Sequence, residues 1–572
     1  MFSFLGGSSS LLAARHDPTK ERPAPPYPTP VSFPRLESFR EAPHAWTEGS
    51  APDLFKHYSR IRKLSDVSTQ HLAALNVSLR DISHDFDDFF STNELAHAFV
   101  PPASWLEPSA APSSALPALP GQSRVLSNGR PFPSQQDFSI RSKELRHTNE
   151  DAYRALTRTP HNGQPPARLA HFRRFWEALD NMNYYWDTSC DEYIPEGSVS
   201  QSDNGRARKE ESSEDADEAV VDTDEPRKRV RPNPQPDTSG AGFELPVGPA
   251  PPSGELLLDI RPPKVPGSAE KPPGTYRGNR IGNGAGMPES YRTDAARAFV
   301  EPIAWSFGFT MAAHRKPPVL EIKSLLVPIK LSGTVWRPPN EREKARAGCL
   351  QGPVLGISCR SETEFAEGKA DPVLDVLREL GAMLCLAQER AREGRTERKP
   401  GENRWWTSVP RWGGGPGGEM GEAITSSDDD IEPGGEEKTA PNSETKARAN
   451  TRGTSSKRKQ AIINAWKTLR VGSGYWDPRV DYAAVGKPPG SKWDEIYLVS
   501  SLNHHISILR LRVHDDYIHY LLTGDCPKQV TDPEWSTPVL SRSRWFDLFT
   551  PEDRLEAFRL LWGIMGYLAR VD

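Results

Sequence analysis

The sequence predicts an α+β protein in several parts: N-terminal helices, a C-terminal mixed α/β module interrupted by a disordered insertion, and extensive disordered linkers. Three observations carry this. Residues 319–329 are an apolar β-type run, residues 353–359 are a second, and residues 373–392 are a strongly apolar helix. Residues 493–499 and 507–513 read as strands; in the latter Leu509, Leu511 and Val513 alternate with Ile508, Arg510 and Arg512, the pattern of a half-exposed face. Between such islands lie tracts too polar to offset the entropy of ordering them: of 572 residues 36% are hydrophobic, 26% are charged, and 55 are Pro.

Residues 1–50 form a Pro- and Ser-rich arm, with Pro23, Pro25 and Pro26 favouring extended chain. Residues 51–100 read as one long amphipathic helix. Leu54, Tyr58, Ile61, Leu72, Leu75, Leu79, Ile82, Phe86 and Phe89 fall on steps of three and four, and neither Pro nor Gly interrupts 54–90. Asp53 is placed to cap it, and Ser65 and Ser68 weaken the seam. Such a helix either packs on its own domain or associates with another protein or a second copy. Leu72, Leu75, Leu79, Ile82 and Phe86 are the contact residues of the second reading.

Residues 101–137 are expected as a Pro-rich linker, and 138–195 as a helical hairpin whose arms, near 142–157 and 167–186, are separated by Pro160, Gly163, Pro165 and Pro166. Phe172, Trp176 and Leu179 give the second arm an apolar face, and Tyr184, Tyr185 and Trp186 close it. Those rings read as core or docking surface; base stacking is disfavoured by neighbouring Asp187, Asp191 and Glu192.

Residues 196–285 are an acidic, then basic, disordered linker. Arg227, Lys228, Arg229 and Arg231 lie between Pro226 and Pro232 and resemble a monopartite nuclear import signal. Lys457, Arg458 and Lys459, preceded by Lys446, Arg448 and Arg452, resemble a bipartite one. Residues 286–412 open the α/β module with a helix over 290–300, ended by Pro302, followed by the strands and helix described above, the latter capped by Asp371 and Pro372. Residues 413–460 are the insertion; its Gly413–Gly415 run lacks the Lys-Ser/Thr of a phosphate loop. Residues 461–572 complete the module: a short helix over 461–469, the two strands, a third β-type run at 517–522 that makes a meander, and a closing helix begun by Thr550 and Pro551.

Chemistry is sparse. Cys190, Cys349, Cys359, Cys385 and Cys526 are scattered, which argues against a disulfide framework or zinc ribbon and for a reducing compartment. A secretory signal is not expected, and no run approaches the ~20 apolar residues of a membrane span. His504, His505, His514 and His519 could converge on a metal, but neighbours on a strand face opposite ways, so at most one of His504 and His505 is expected in any site. Glu321-Ile322-Lys323 lies on a predicted strand. With the order helix, strands, helix, strand over about 291–522, it resembles the core of restriction-endonuclease-like PD-(D/E)xK proteins. That resemblance implies a divalent metal held by two acids and a lysine that activates water. The upstream acid is not evident: Asp294 and Glu301 sit on or near a helix.

The leading expectation is therefore a non-enzymatic nuclear interaction or scaffold protein. It binds proteins through the long helix and the α+β module, with self-association possible, no membrane, no cofactor and no metal. Cytoplasmic residence is the alternative, and nucleic-acid binding is left open. The alternative function is a nuclease-like protein, active or not, using Glu321 and Lys323.

Overall fold

The computed structural model describes residues 19–35, 44–46, 50–61, 63–82, 87–90, 94–107, 125–157, 167–195, 274–314, 318–346, 348–365, 369–393 and 480–571. Over these it is a mixed α+β protein. The helices are α1 (Leu54–Tyr58), α2 (Thr69–Ala74), α3 (Glu94–His97), α4 (Gln135–Arg146), α5 (Asn149–Thr157), α6 (Arg173–Trp186), α7 (Glu289–Ser306), α8 (Arg342–Arg346), α9 (Pro372–Arg390), α10 (Asp515–Thr523) and α11 (Pro551–Leu568). The strands are β1 (Arg22–Pro23), β2 (Ser78–Ile82), β3 (Glu192–Ile194), β4 (Thr275–Arg277), β5 (Thr310–Ala312), β6 (Val319–Ile322), β7 (Leu325–Pro328), β8 (Gly333–Arg337), β9 (Leu350–Arg360), β10 (Val480–Tyr482), β11 (Trp493–Leu502), β12 (His505–His514), β13 (Val539–Ser543) and β14 (Phe546–Asp547).

Two compact units result. The smaller, from residues 21–27 and 192–277, is described by an antiparallel sheet in the order β1-β4-β3. Tyr276 is its buried centre, with the Arg22 guanidinium 5.3 Å from the ring and Tyr193 at 5.3 Å on another side.

The larger unit is organised on a nine-stranded sheet whose main path runs β2-β13-β12-β11-β9-β8-β5. β9 and β11 are parallel and joined through α9; β8 and β12 run antiparallel to them. Side chains alternate across this sheet. Tyr497, Val499, Ile506 and Ile508 enter a core shared with Phe172, Trp176, Phe299, Phe558 and Trp562, from the face that carries α6, α7 and α11. Ile496, Leu498, Leu509 and Leu511 enter a second core with Val376, Leu380, Leu384, Tyr517 and Trp535, from the face that carries α9 and α10. Each such side chain removed from water contributes roughly 1.5–3 kcal/mol before entropy is charged against it. α9 approaches β9 closely at Gly356, where a Cβ would stand 2.8 Å from Leu386 Cδ1 and 2.9 Å from Leu498 Cδ1.

The long helix over 54–90 does not form. Asn76 takes a φ of 54° after Leu75 ends α2. Its amide donates to His44 O at 2.8 Å and Ser536 O at 2.9 Å, holding the chain in that turn. β2 then pairs in parallel with β13, completing the sheet at that edge. Leu72, Leu75 and Leu79 are buried in the second core, so they form no exposed seam. Ile82 is the last residue of β2, and Phe86 lies outside the described residues. The three-and-four spacing was satisfied by a short helix and a strand in succession, which local periodicity cannot distinguish from one helix.

Other elements also differ from expectation. The first arm of the hairpin divides into α4, capped by Ser134, and α5. α7 continues through Pro302 to Ser306. Residues 319–328 fold as the separate two-stranded ribbon β6-β7. Residues 515–523 are helix α10 and not a third strand: His514 caps it, Asp515 and Asp516 occupy its first turn, and Gly524 ends it at φ 81°. Both faces of β12 are covered; Arg510, only 3% exposed, donates to Phe89 O at 3.1 Å. The caps of α9 by Asp371 and the start of α11 after Thr550 agree with the sequence reading.

Candidate functional site

Open α/β sheets usually bind ligands beyond the carboxyl ends of their parallel strands. Here β9 ends at Arg360, and β11 ends at Leu502, its register partner. Beneath them α9 presents Asp375 and Glu379, all of these charged groups being at most 8% exposed. Arg360 Nη1 lies 2.8 Å from Glu379 Oε1, and Arg360 Nη2 donates to Ser500 Oγ at 2.8 Å. Ser500 Oγ donates to Glu379 Oε1 at 2.6 Å, and Arg542 pairs with Glu379 Oε2. Arg360 Nε is 2.7 Å from Asp375 Oδ1 but off the line a hydrogen bond needs, so that attraction is Coulombic.

Two cations and two carboxyl groups are thus closed on one another. Burial pushes the Asp375 carboxyl up to about 6, against the pull of Arg360. Burial also pushes Glu379 upward, but Arg360 and Arg542 outweigh it and hold that carboxyl below the usual range. A second ring of contacts continues outward: Arg292 Nε donates to Asn503 Oδ1 at 2.9 Å, Asn503 Nδ2 to Glu362 O at 3.0 Å, and Arg378 pairs with Glu362.

The same end of the sheet carries His504, His505 and Asp547. Asn503, at φ 56°, and His504 make the two-residue turn between β11 and β12. The rule that strand neighbours face opposite ways therefore does not apply to His504, and the two imidazoles lie 4.1 Å apart between centroids. β14 pairs with the start of β12, which sets Asp547 opposite His505. His504 Nε2 is 3.8 Å from Asp547 Oδ1, and His505 Nε2 is 4.0 Å from Asp547 Oδ2. Trp186 and Phe549 flank His504 at 4.7 and 4.9 Å, and Phe33 meets His505 at 4.9 Å. Burial moves His504 well below its ordinary pKa and lowers His505 as well, so both rings are neutral near neutral pH. Among the described residues this is the group of His, Cys, Asp and Glu whose ligand atoms converge closely enough for a metal.

The remaining predicted residues lie elsewhere. His514, at the far end of β12, caps α10, and His519 lines a cleft of about 280 Å³ between α9 and α10. In that cleft Arg390 pairs with Asp494 at 2.8 Å and Lys487 with Asp515 at 2.7 Å. Glu321 is on β6, its backbone clamped by the Gln388 amide at 2.9 and 2.7 Å. Lys323 sits in the β6-β7 turn at φ 53°, its Nζ 3.8 Å from Asp53. Neither belongs to the nine-stranded sheet. Tyr185 packs on Tyr291 and Trp186 on His504, so these rings serve packing. The clusters Arg227, Lys228, Arg229, Arg231 and Lys457, Arg458, Lys459, and the insertion, fall outside the described residues. No local spacing in the sequence could have joined His504 and His505 to Asp547, because only the β12–β14 pairing does so.

Comparison with family models, curated proteins and solved structures finds no match to this chain.

Proposed function

We propose that this chain is a non-catalytic binding protein that holds other proteins through its C-terminal α+β module. The observation that carries the reading is where the charges of the sheet go. β5, β8 and β9 contain no Asp, Glu or Lys, so the strands that a metal-dependent nuclease core would load with acids offer none. The acids beneath them, Asp375 and Glu379, are spent on Arg360 and Arg542. Glu379 has both oxygens engaged, one by Arg360 and Ser500 and the other by Arg542, while Asp375 faces Arg360 Nε at 2.7 Å without a hydrogen bond. Because Leu72, Leu75 and Leu79 are core residues, the binding surface lies elsewhere on the module. Trp305 of α7, 52% exposed, is the ring with which to begin mapping it. No described helix is long and apolar enough to cross a membrane.

The nuclease-like reading keeps one observation in its favour: α7, then β5, β8 and β9, then α9 and β11 follow the order helix, strands, helix, strand. The full-length protein incubated with Mg²⁺ or Mn²⁺ and DNA or RNA is expected to leave the nucleic acid intact. Cleavage that disappears in Glu321→Ala and Lys323→Ala would defeat the binding reading. Conversely, Trp305→Ala is expected to weaken retention of a co-purifying protein without lowering the melting temperature; if nothing co-purifies with the unaltered chain, the binding reading fails. Nuclear residence is part of the proposal and rests on the two basic clusters. A fluorescent fusion should leave the nucleus when Arg227, Lys228, Arg229 and Arg231 are neutralised together with Lys457, Arg458 and Lys459. Unchanged distribution rejects those clusters, and a cytoplasmic wild type rejects the compartment.

A further inference from the structure

We propose that His504, His505 and Asp547 bind one divalent transition-metal ion of the zinc class, clasping the β11–β12 turn to the β14–α11 junction. This goes beyond the binding reading above and does not depend on it.

The first support is that the Nε2 atoms of both rings face a carboxylate without a hydrogen bond to it. Buried imidazoles elsewhere in the molecule are engaged. His514 Nδ1 accepts from Asp516 N–H at 3.1 Å, and His314 lies between Thr334 Oγ1 at 2.6 Å and Glu389 Oε2 at 3.1 Å. The Nε2 atoms of His504 and His505 face Asp547 at 3.8 and 4.0 Å, too far for hydrogen bonds. A buried ring and a half-buried one pressed together at 4.1 Å, with no hydrogen bond between them or to the carboxylate, are unusual in a protein interior.

The second support is geometric and chemical. Ligands at zinc distances of about 2.0–2.2 Å in a tetrahedron stand about 3.3 Å apart. Taken as one ligand atom per residue, the three groups lie within 4.8 Å of one another, at most about 1.5 Å beyond that spacing, a gap for side-chain rotation to close on binding. Two imidazole nitrogens and one carboxylate oxygen suit zinc, cobalt or nickel, whereas calcium and magnesium demand an oxygen shell. Asp547 is already oriented: its Oδ1 accepts from Phe549 N–H at 2.8 Å, and its own N–H donates to Asp553 Oδ2 at 2.8 Å. Its side chain is 29% exposed, so an ion can enter from solvent on that side and water can complete its shell. Trp186, Phe33 and Phe549 form the apolar wall that lowers the local dielectric on the other sides.

Titrating the full-length protein, freed of metal by chelation, with Co²⁺ tests this. One equivalent should bind with visible ligand-field absorption, and Zn²⁺ should displace it. Asp547→Asn, which keeps an oxygen for Phe549 N–H, and His505→Gln should each weaken binding by about tenfold or more. X-ray absorption of the Zn²⁺-loaded wild type should show a nitrogen and oxygen shell with imidazole scattering. This second measurement decides the matter should both variants fail to fold. No binding by folded protein, binding unaltered in both folded variants, or a sulfur ligand from any cysteine would each overturn the proposal.

Discussion

Two polar clusters lie at one end of the sheet, about two strand spacings apart, since Arg360 registers with Leu502 and Leu502 with His505. They have opposite characters. Around Arg360 and Glu379 each charge meets an opposite charge, and a serine ties them together. Around His504 and His505 the rings are sealed on their outer nitrogens and fall short of their carboxylate. The lesson is that burial of polar groups does not by itself mark a working site. A charge-paired cluster holds the fold through its ion pairs, although Arg360 Nε and Nη1, Asp375 Oδ1 and Oδ2, and Arg542 Nε are buried without hydrogen bonds; rings that meet no opposite charge at contact distance retain capacity for a ligand.

The largest expected effect breaks the charge-paired side. Glu379→Ala leaves Arg360 and Arg542 buried without their shared carboxylate and should cost about 3–5 kcal/mol in denaturant unfolding. A loss below about 1 kcal/mol, the scale of an exposed pair, would show that water reaches the cluster and that the contrast is false. Next, Leu79→Ala on β2 should cost about 2–5 kcal/mol, since the side chain is 5% exposed in the second core. Were residues 72–86 an exposed association seam, that substitution would change oligomeric state with little change in stability.

Acid acts with mixed sign: His504 and Glu379, both held low, lose stability as pH falls, whereas Asp375 gains it. The depressed pKa of His504 makes the unfolded chain bind protons more readily, so stability present above pH 6.5 is lost as pH falls below that value. Asp375 acts oppositely: its folded pKa, raised from 3.8 to about 6, favours the native state as pH falls through that window. The unfolding free energy measured between pH 7 and 4 should therefore fall more steeply in Asp375→Asn, which lacks the compensating proton uptake. An identical slope would remove Asp375 from the account. The smallest effect is expected at Lys323→Asn, which relieves a left-handed backbone at φ 53° and gives up a 3.8 Å exposed ion pair. The net change should stay within about 1 kcal/mol, read from thermal melts. A much larger loss would mean that Lys323 takes part in something beyond the β6-β7 turn.

Much of the module was readable from local pattern. α9 announces itself through Asp371, Pro372 and a wide apolar face, and α11 through Thr550, Pro551 and its early acids. β9, β11 and β12 show in short apolar runs rich in branched residues. Two of the misreadings share one cause. Residues 72–82 and 515–523 are apolar at spacings that helix and strand can both use, and the deciding neighbours, β13 for one and the His514 cap for the other, lie in the tertiary or capping context. Of the candidate site, the sequence displayed the histidines but not their carboxylate, which follows His505 by 42 positions.

What the sequence alone determined is the set of apolar islands, their caps and the polar tracts between them, because composition and periodicity act within a few turns of chain. Tertiary structure decided that residues 78–82 extend the sheet, that Glu321 and Lys323 stand apart from it, and that Arg360, Glu379 and Arg542 close on one another while His504, His505 and Asp547 do not. Strand pairing and charge convergence join residues tens to hundreds of positions apart, and no local spacing encodes such a meeting.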